Sequence, residues 1–199
     1  MTFRRTRCPH CKGKLDPGQR IHPECIDGYA EAQAAKAERA EAKKARAAAK
    51  VERAETRRRK EAIKTIPVLI KEAQHAFNAF IRARDQEQPC ICCGRPLGDG
   101  DVGGAFDAGH YRSTGSASHL RFHEHNVHAQ RKQCNRYGAG RAVDYRIGLV
   151  SRIGLAAVEA LESNNSPHKW TREELIQIRD TYRAKFKALK SNSKPEGQA

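Results

Sequence analysis

Residues 29–62 contain neither glycine nor proline and consist almost throughout of Ala, Glu, Lys and Arg. These are strong helix formers, and Glu55 with Arg58 and Arg59 adds the three- and four-residue charge spacing that supports a helix. The run has no continuous apolar stripe, so no core can close over it. It therefore predicts a solvated helix of about 50 Å at 1.5 Å per residue. Its eleven Lys/Arg against six Asp/Glu suit either a charged linker or an arm that follows nucleic acid. The chain is expected to divide around this rod. Residues 1–27 form a Cys/His module, 28–66 the basic arm, 67–190 the main domain with a Cys/His/Asn-rich unit at 89–140, and 191–199 a disordered polar tail.

Hydrophobic residues make up 38% of the 199 and the mean hydropathy is -0.80, too little to pack every segment. The formal charge of +15 implies attraction to a polyanion, because clustered Lys and Arg displace counterions from a phosphate backbone. No apolar run approaches membrane-spanning length, and the basic N-terminus lacks an apolar signal core. Seven cysteines in CxxC-type spacings then read as metal ligands rather than disulfides.

Cys8-Pro-His-Cys11 and His22-Pro-Glu-Cys25 are two ligand pairs separated by turn residues, the pattern of a zinc-ribbon-like site. His10 is a fifth candidate, expected to point away. Beyond Pro67, Val68, Leu69, Ala73, Ala76, Phe77, Phe80 and Ile81 recur at helical spacing to about Arg84. Residues 142–161 suggest a helix or a helical pair broken near Gly154. Thr171 and Glu174 form a capping box before a helix whose face carries Leu175, Ile178, Tyr182, Phe186 and Leu189. Between these helices, Phe106–His110 reads as a strand, Leu120–Phe122 as its return, and Asn126–Asn135 as the passage into a helix. That arrangement sets His110 opposite Asn135 across a narrow cleft.

Several segments in order carry a resemblance. They are the Cys/His unit with its charged helix, Phe77–Asp85 running into Pro89-Cys-Ile-Cys-Cys-Gly94, Asp107-Ala-Gly-His-Tyr-Arg112, Leu120-Arg-Phe followed by Asn126-Val-His128, and Ser151-Arg-Ile-Gly154 with Trp170-Thr. The chain resembles the HNH, or ββα-metal, nucleases, and more closely the phage NinG (Rap) recombination endonuclease family. The resemblance implies a mainly α fold around a small zinc-stabilised ββα-metal unit. It also implies an endonuclease for branched recombination intermediates, in the host cytoplasm at the nucleoid.

Position by position, it makes His110 the general base and Asn135 a ligand of Mg²⁺ or Mn²⁺. Asn126 becomes the residue that ties the loop. His128 matches a position that binds the catalytic metal, contacts phosphate or coordinates zinc. Two positions depart from the pattern. Gly109 stands where many HNH sites carry Asp, leaving Asp107 as the substitute. Arg131 stands where a second closing cysteine is expected beside Cys134. Cys90, Cys93 and Cys134 then need a fourth zinc ligand, with Cys92, His128 and His125 as candidates, the alternative being a site that has lost its zinc. A dimer would place two sites on one junction, though no dimer signature is visible, and other recombination proteins are further expected partners. The competing expectations are a non-catalytic zinc-containing DNA-binding protein and an adaptor built on the basic helix.

Overall fold

The computed structural model describes residues 5–98, 105–137 and 141–192, and the chain divides into two units, Met1–Ile63 and Lys64–Ala199. Of the tail expected to be disordered at 191–199, residues 191–192 instead continue the last helix, and those from 193 onward lie outside the described residues.

In the first unit a tight turn carries the cysteines. The Cys8 N–H donates to the Gly13 carbonyl at 2.8 Å, and Arg7 and Lys14 form an isolated antiparallel bridge. Helix α1 (Ile26–Ala62) follows and buries none of its residues, as its composition dictates. Ion pairs Lys44–Glu41 at 2.9 Å and Arg59–Glu55 at 2.6 Å lie along it.

The second unit is mainly helical around one two-stranded antiparallel sheet. Helix α2 (Ile66–Arg84) buries Leu69, Ala73, Phe77, Phe80 and Ile81, whereas Val68 remains 44% exposed. Strand β1 (Phe106–His110) pairs with β2 (Val127–Arg131), with His110 opposite Val127 and Gly109 opposite His128. Helices α3 (Ala142–Ile153) and α4 (Leu155–Ser163) break at Gly154, whose φ of +84° suits glycine. Helix α5 (Arg172–Asn192) starts at the Thr171–Glu174 box, where the Thr171 N–H donates to Glu174 Oε2 at 2.8 Å and the Glu174 N–H to Thr171 Oγ1 at 3.3 Å. Leu175 and Tyr182 of α5 pack on α2 with Phe122, Ala108 and Val127. No helix among the described residues is long and apolar enough to cross a membrane.

Two expectations about the hairpin are corrected. The returning strand is Val127–Arg131, not Leu120–Phe122. Leu120 and Phe122 are both buried, but they plug different apolar clusters from a turn instead of alternating along a strand. Val127, His128, Ala129 and Gln130 alternate apolar and polar, yet all four are buried because the strand is covered on both faces. The passage Asn126–Asn135, expected to lead into a helix, consists of strand β2 and the start of a short π-helical segment, Gln133–Tyr137.

Asp85, at the end of α2, is buried and clamps that helix to β2. Its carboxylate accepts Arg84 Nε at 2.6 Å, Arg84 Nη2 at 2.9 Å and the Ala129 N–H at 2.9 Å. Burial pushes the carboxyl pKa up, but hydrogen bonds from His128 and Arg84 outweigh this and hold it well below the usual range. Helix α3 meets the 89–93 turn almost backbone to backbone, since a Cβ at Gly148 would fall 1.8 Å from the Ile91 carbonyl oxygen. Gly148→Ala should therefore destabilise the fold by at least about 1–3 kcal/mol in urea unfolding. Gly115→Ala, where the nearest atom is 3.9 Å away, should change it little. Equal effects of the two substitutions would contradict this packing.

Candidate active site and metal centres

Cys8, Cys11, His22 and Cys25 bring four ligand atoms within 4.8 Å of one another. Tetrahedral zinc with thiolates at 2.3 Å spaces its ligands by about 3.8 Å, so this quartet fits a structural zinc after small adjustment. The turn is prepared for it. His22 Nε2 donates to the Lys14 carbonyl at 3.0 Å, which leaves Nδ1 facing Cys11 Sγ at 3.2 Å. Burial pushes the Cys8 thiol pKa up, but hydrogen bonds from the backbone of His22, Cys11 and His10 bring it down to about 6. The hydrogen bond to Cys11 raises His22 to about 9. The ring of His10 lies against Gly28, outside the quartet.

Cys90, Cys93 and Cys134 form a second group within the same spread. The Cys90 thiol is lowered to about 4, first by its hydrogen bond with Cys92, then by backbone N–H groups of Arg131, Cys93 and Cys92 that outweigh burial. Arg131 thus serves the sulfur through its N–H, at 3.3 Å, and not through its side chain. Among the described residues neither Cys92, His125 nor His128 joins the three thiols. The group can hold a zinc with three protein ligands.

His110 ends β1 half-buried, beside a cavity of about 390 Å³ that it lines together with Tyr111, Thr114, Asn135 and Tyr145. Its Nε2–H donates to the Arg121 carbonyl at 3.0 Å, fixing the tautomer and leaving Nδ1 with no partner among the described residues. Burial lowers the imidazole pKa below its ordinary 6.5, the Arg121 carbonyl opposes this, and the nearby Arg121 charge adds to the lowering. The ring is neutral at physiological pH. Asn135 donates Nδ2 to Asp107 Oδ2 at 3.0 Å, and its Oδ1 accepts nothing among the described residues.

Asp107 is committed elsewhere. Arg136 grips both its oxygens at 2.8 and 2.9 Å, and that contact and Asn135 hold the carboxyl low against its burial. Gly109 has a local cause, because a Cβ there would lie 2.1 Å from Gln130 Oε1. The Gln130 side chain fills the space an Asp would need, and its Nε2 donates to Cys92 Sγ at 2.7 Å.

Asn126 is fully buried and staples the loop. Its Oδ1 accepts the Arg112 N–H at 2.8 Å, and its Nδ2 donates to the carbonyls of Arg112 at 3.0 Å and Leu120 at 3.2 Å. His128 does not line the His110 cavity. It is buried beside Asp85, its Nδ1 lying 3.1 Å from Arg84 Nη2 and 3.5 Å from Asp85 Oδ2, and its Nε2 donating to the His125 carbonyl at 3.2 Å. The structure thus places His110 and Asn135 on one cavity with Asp107 behind Asn135, Asn126 in the supporting loop, and His128 apart. Sequence reasoning missed Asp85, Gln130, Arg121 and Tyr145. Asp85 and Arg121 lay inside segments that carry the resemblance, and Tyr145 within the stretch read as helical, but nothing in the sequence marked what they contact.

Residues 2–192 match the family model described as NinG, bacteriophage lambda NinG protein. Protein ninG of Escherichia phage lambda is 47% identical over 138 residues, covering 69% of this chain and 65% of the relative. Protein ninG of Salmonella phage P22 is 46% identical over 134 residues, covering 67% and 64%. The chain therefore spans just under two thirds of the length of the relatives it matches. No solved structure matches it.

The ligand geometry makes a metal prediction. Purified under reducing conditions, the full chain should contain zinc, and Cys11→Ser should lower the content by about one ion per chain while far-UV circular dichroism stays close to wild type. Unchanged zinc in Cys11→Ser would remove the N-terminal site from consideration.

Proposed function

We infer that this chain, which belongs to the NinG family, is a metal-dependent, HNH-like (ββα-metal) endonuclease that cuts branched DNA such as four-way junctions and D-loops. One observation carries the reading: a neutral His110, held in one tautomer by the Arg121 carbonyl, offers Nδ1 beside the cavity that also receives Asn135. A base poised in this way is suited to taking a proton from water near neutral pH. The branched substrate rests on the family resemblance, and the +15 charge supports a polyanionic one.

His110 Nδ1 accepts a proton from a water molecule as the water oxygen bonds to phosphorus, and the 3′-oxygen leaves with the electron pair. Asn126 keeps His110 aligned by fastening the loop that supplies the Arg121 carbonyl. Arg121 adds positive potential where the phosphate charge grows. Asn135 Oδ1, with Asp107 behind it, would hold Mg²⁺ or Mn²⁺ jointly with phosphate oxygens, a donor set that fits such an ion only when substrate completes it. That ion would neutralise the transition-state charge and the leaving oxygen.

The second reading, a zinc-containing DNA-binding protein without catalysis, is favoured by one contact. Arg136 occupies both Asp107 oxygens, so no uncommitted carboxylate stands behind Asn135.

Cleavage of a four-way junction with Mg²⁺ or Mn²⁺, against EDTA, separates the two. His110→Ala should lower the rate by about 10²–10⁴-fold with junction binding retained. Wild-type rates from His110→Ala, or no cleavage by folded, zinc-loaded wild type with either ion, would leave the binding reading in place. The acid limb of the rate profile gives an independent check. Activity needs neutral imidazole, so it should be full above the His110 pKa and fall as pH drops through it, with a midpoint below 6.5. A midpoint above that value would assign the limb to another group.

A further inference from the structure

Helix α1 distributes its charge unevenly around its axis. Lys36, Arg39, Lys43, Arg46, Lys50, Arg53, Arg57 and Lys60 follow one another at alternating steps of three and four residues. At 100° per residue they stay within an arc of about 120°, drifting roughly 20° per seven residues. Glu38, Glu41, Glu52 and Glu55 fall on the other side, Lys44 and Arg59 pair there with Glu41 and Glu55, and Glu61, at the C-terminal end of the helix, is the acidic residue that falls within the arc. None of the eight striped cations has an ion-pair partner among the described residues, and all are exposed. From Lys36 to Arg53 no acidic residue stands at i+4 to neutralise the stripe, although the helix buries none of its residues and would accept one there.

We propose that this face is a docking surface for the phosphate backbone of double-helical DNA, positioning a duplex arm of the substrate without reading its sequence. The proposal rests on the nucleic-acid part of the function above. The stripe spans 25 residues from Lys36 to Lys60, about 36 Å over the steps between them, close to one turn of B-form duplex at about 34–36 Å. A straight rod of that length can meet the same strand at two points one turn apart. Ala49 and Ala54 border the row of Arg46, Lys50, Arg53 and Arg57 on its two sides and line a shallow hollow with them. Small side chains there let the backbone ridge approach while the long cations reach its oxygens. Such contacts supply affinity and register and carry no base information.

The test compares two triple variants of the full chain that remove the same charge. Arg46→Gln/Lys50→Gln/Arg53→Gln empties the middle of the stripe, and Lys44→Gln/Arg58→Gln/Arg59→Gln removes three cations from outside it. Glutamine is a good helix former, so helicity by circular dichroism should hold in both. Binding to a linear duplex is measured against salt concentration. The stripe variant should lose up to about 2.7 from the slope of log K against log salt, at about 0.9 per phosphate contact, and the off-stripe variant much less. Equal slopes for the two variants would overturn the proposal. So would loss of binding to phosphatidylserine vesicles by the stripe variant with duplex binding intact, which would make the face a membrane-surface contact. The outcome is independent of catalysis. A wild type that cuts nothing yet shows the stripe-specific slope would retain the docking surface and sink the nuclease, whereas equal slopes with His110-dependent cleavage would do the reverse.

Discussion

The hydroxyl of Tyr145, wholly buried, holds both strands of the hairpin at one paired position. It donates to the Gly109 carbonyl at 2.8 Å and accepts the His128 N–H at 3.0 Å. Burial pushes its pKa well above the usual value, so it stays a neutral donor. Through this residue α3 is tied to the sheet rather than only packed on it, and a buried hydroxyl without either partner would be left with a substantial desolvation cost. The residue after Gly109 is His110, so the same contact determines where the imidazole emerges. Asp85 performs the corresponding task from α2, through the Ala129 N–H. Strand β2 is thus held by a polar group from each side.

That arrangement explains why two histidines on neighbouring strands have different surroundings. His110 lies at the end of β1, where the chain turns out and a cavity opens. His128 sits inside β2, between the Arg84–Asp85 pair and the Tyr145 contact. Its imidazole nitrogens are both engaged, and burial lowers its pKa despite the carboxylate beside it. One histidine keeps a free nitrogen facing space, and the other is a structural hydrogen-bonding group. The sulfur centres are similarly prepared, Cys90 first by its hydrogen bond with Cys92 and then by backbone N–H groups, Cys8 by backbone N–H groups that outweigh burial, so both favour thiolates before any metal binds.

Local composition settled α1, the break at Gly154, the capping box at Thr171, strand β1 and the Cys8/Cys11/His22/Cys25 quartet. Each depends on propensity, on φ at one residue, or on ligand spacing within a few turns, and all of these are short-range properties of the chain. The charge stripe of α1 is of the same kind, because an isolated helix converts residue number into angle with nothing else to intervene.

Tertiary structure decided what depends on two-sided burial and on partners distant in sequence. Strand β2 buries His128 and Gln130 along with Val127 and Ala129, which their polarity does not announce, and Leu120 and Phe122 imitated a strand while filling two separate clusters. Asp85 and Ala129, Tyr145 and Gly109, and Gln130 and Gly109 meet only after the sheet is covered by α2 and α3. Gly109 is understood only beside Gln130, and Asp107 only beside Arg136. The residue types of the candidate site were visible in the sequence, but which nitrogen of which histidine stays free was set by hydrogen bonds that form only when distant segments pack together.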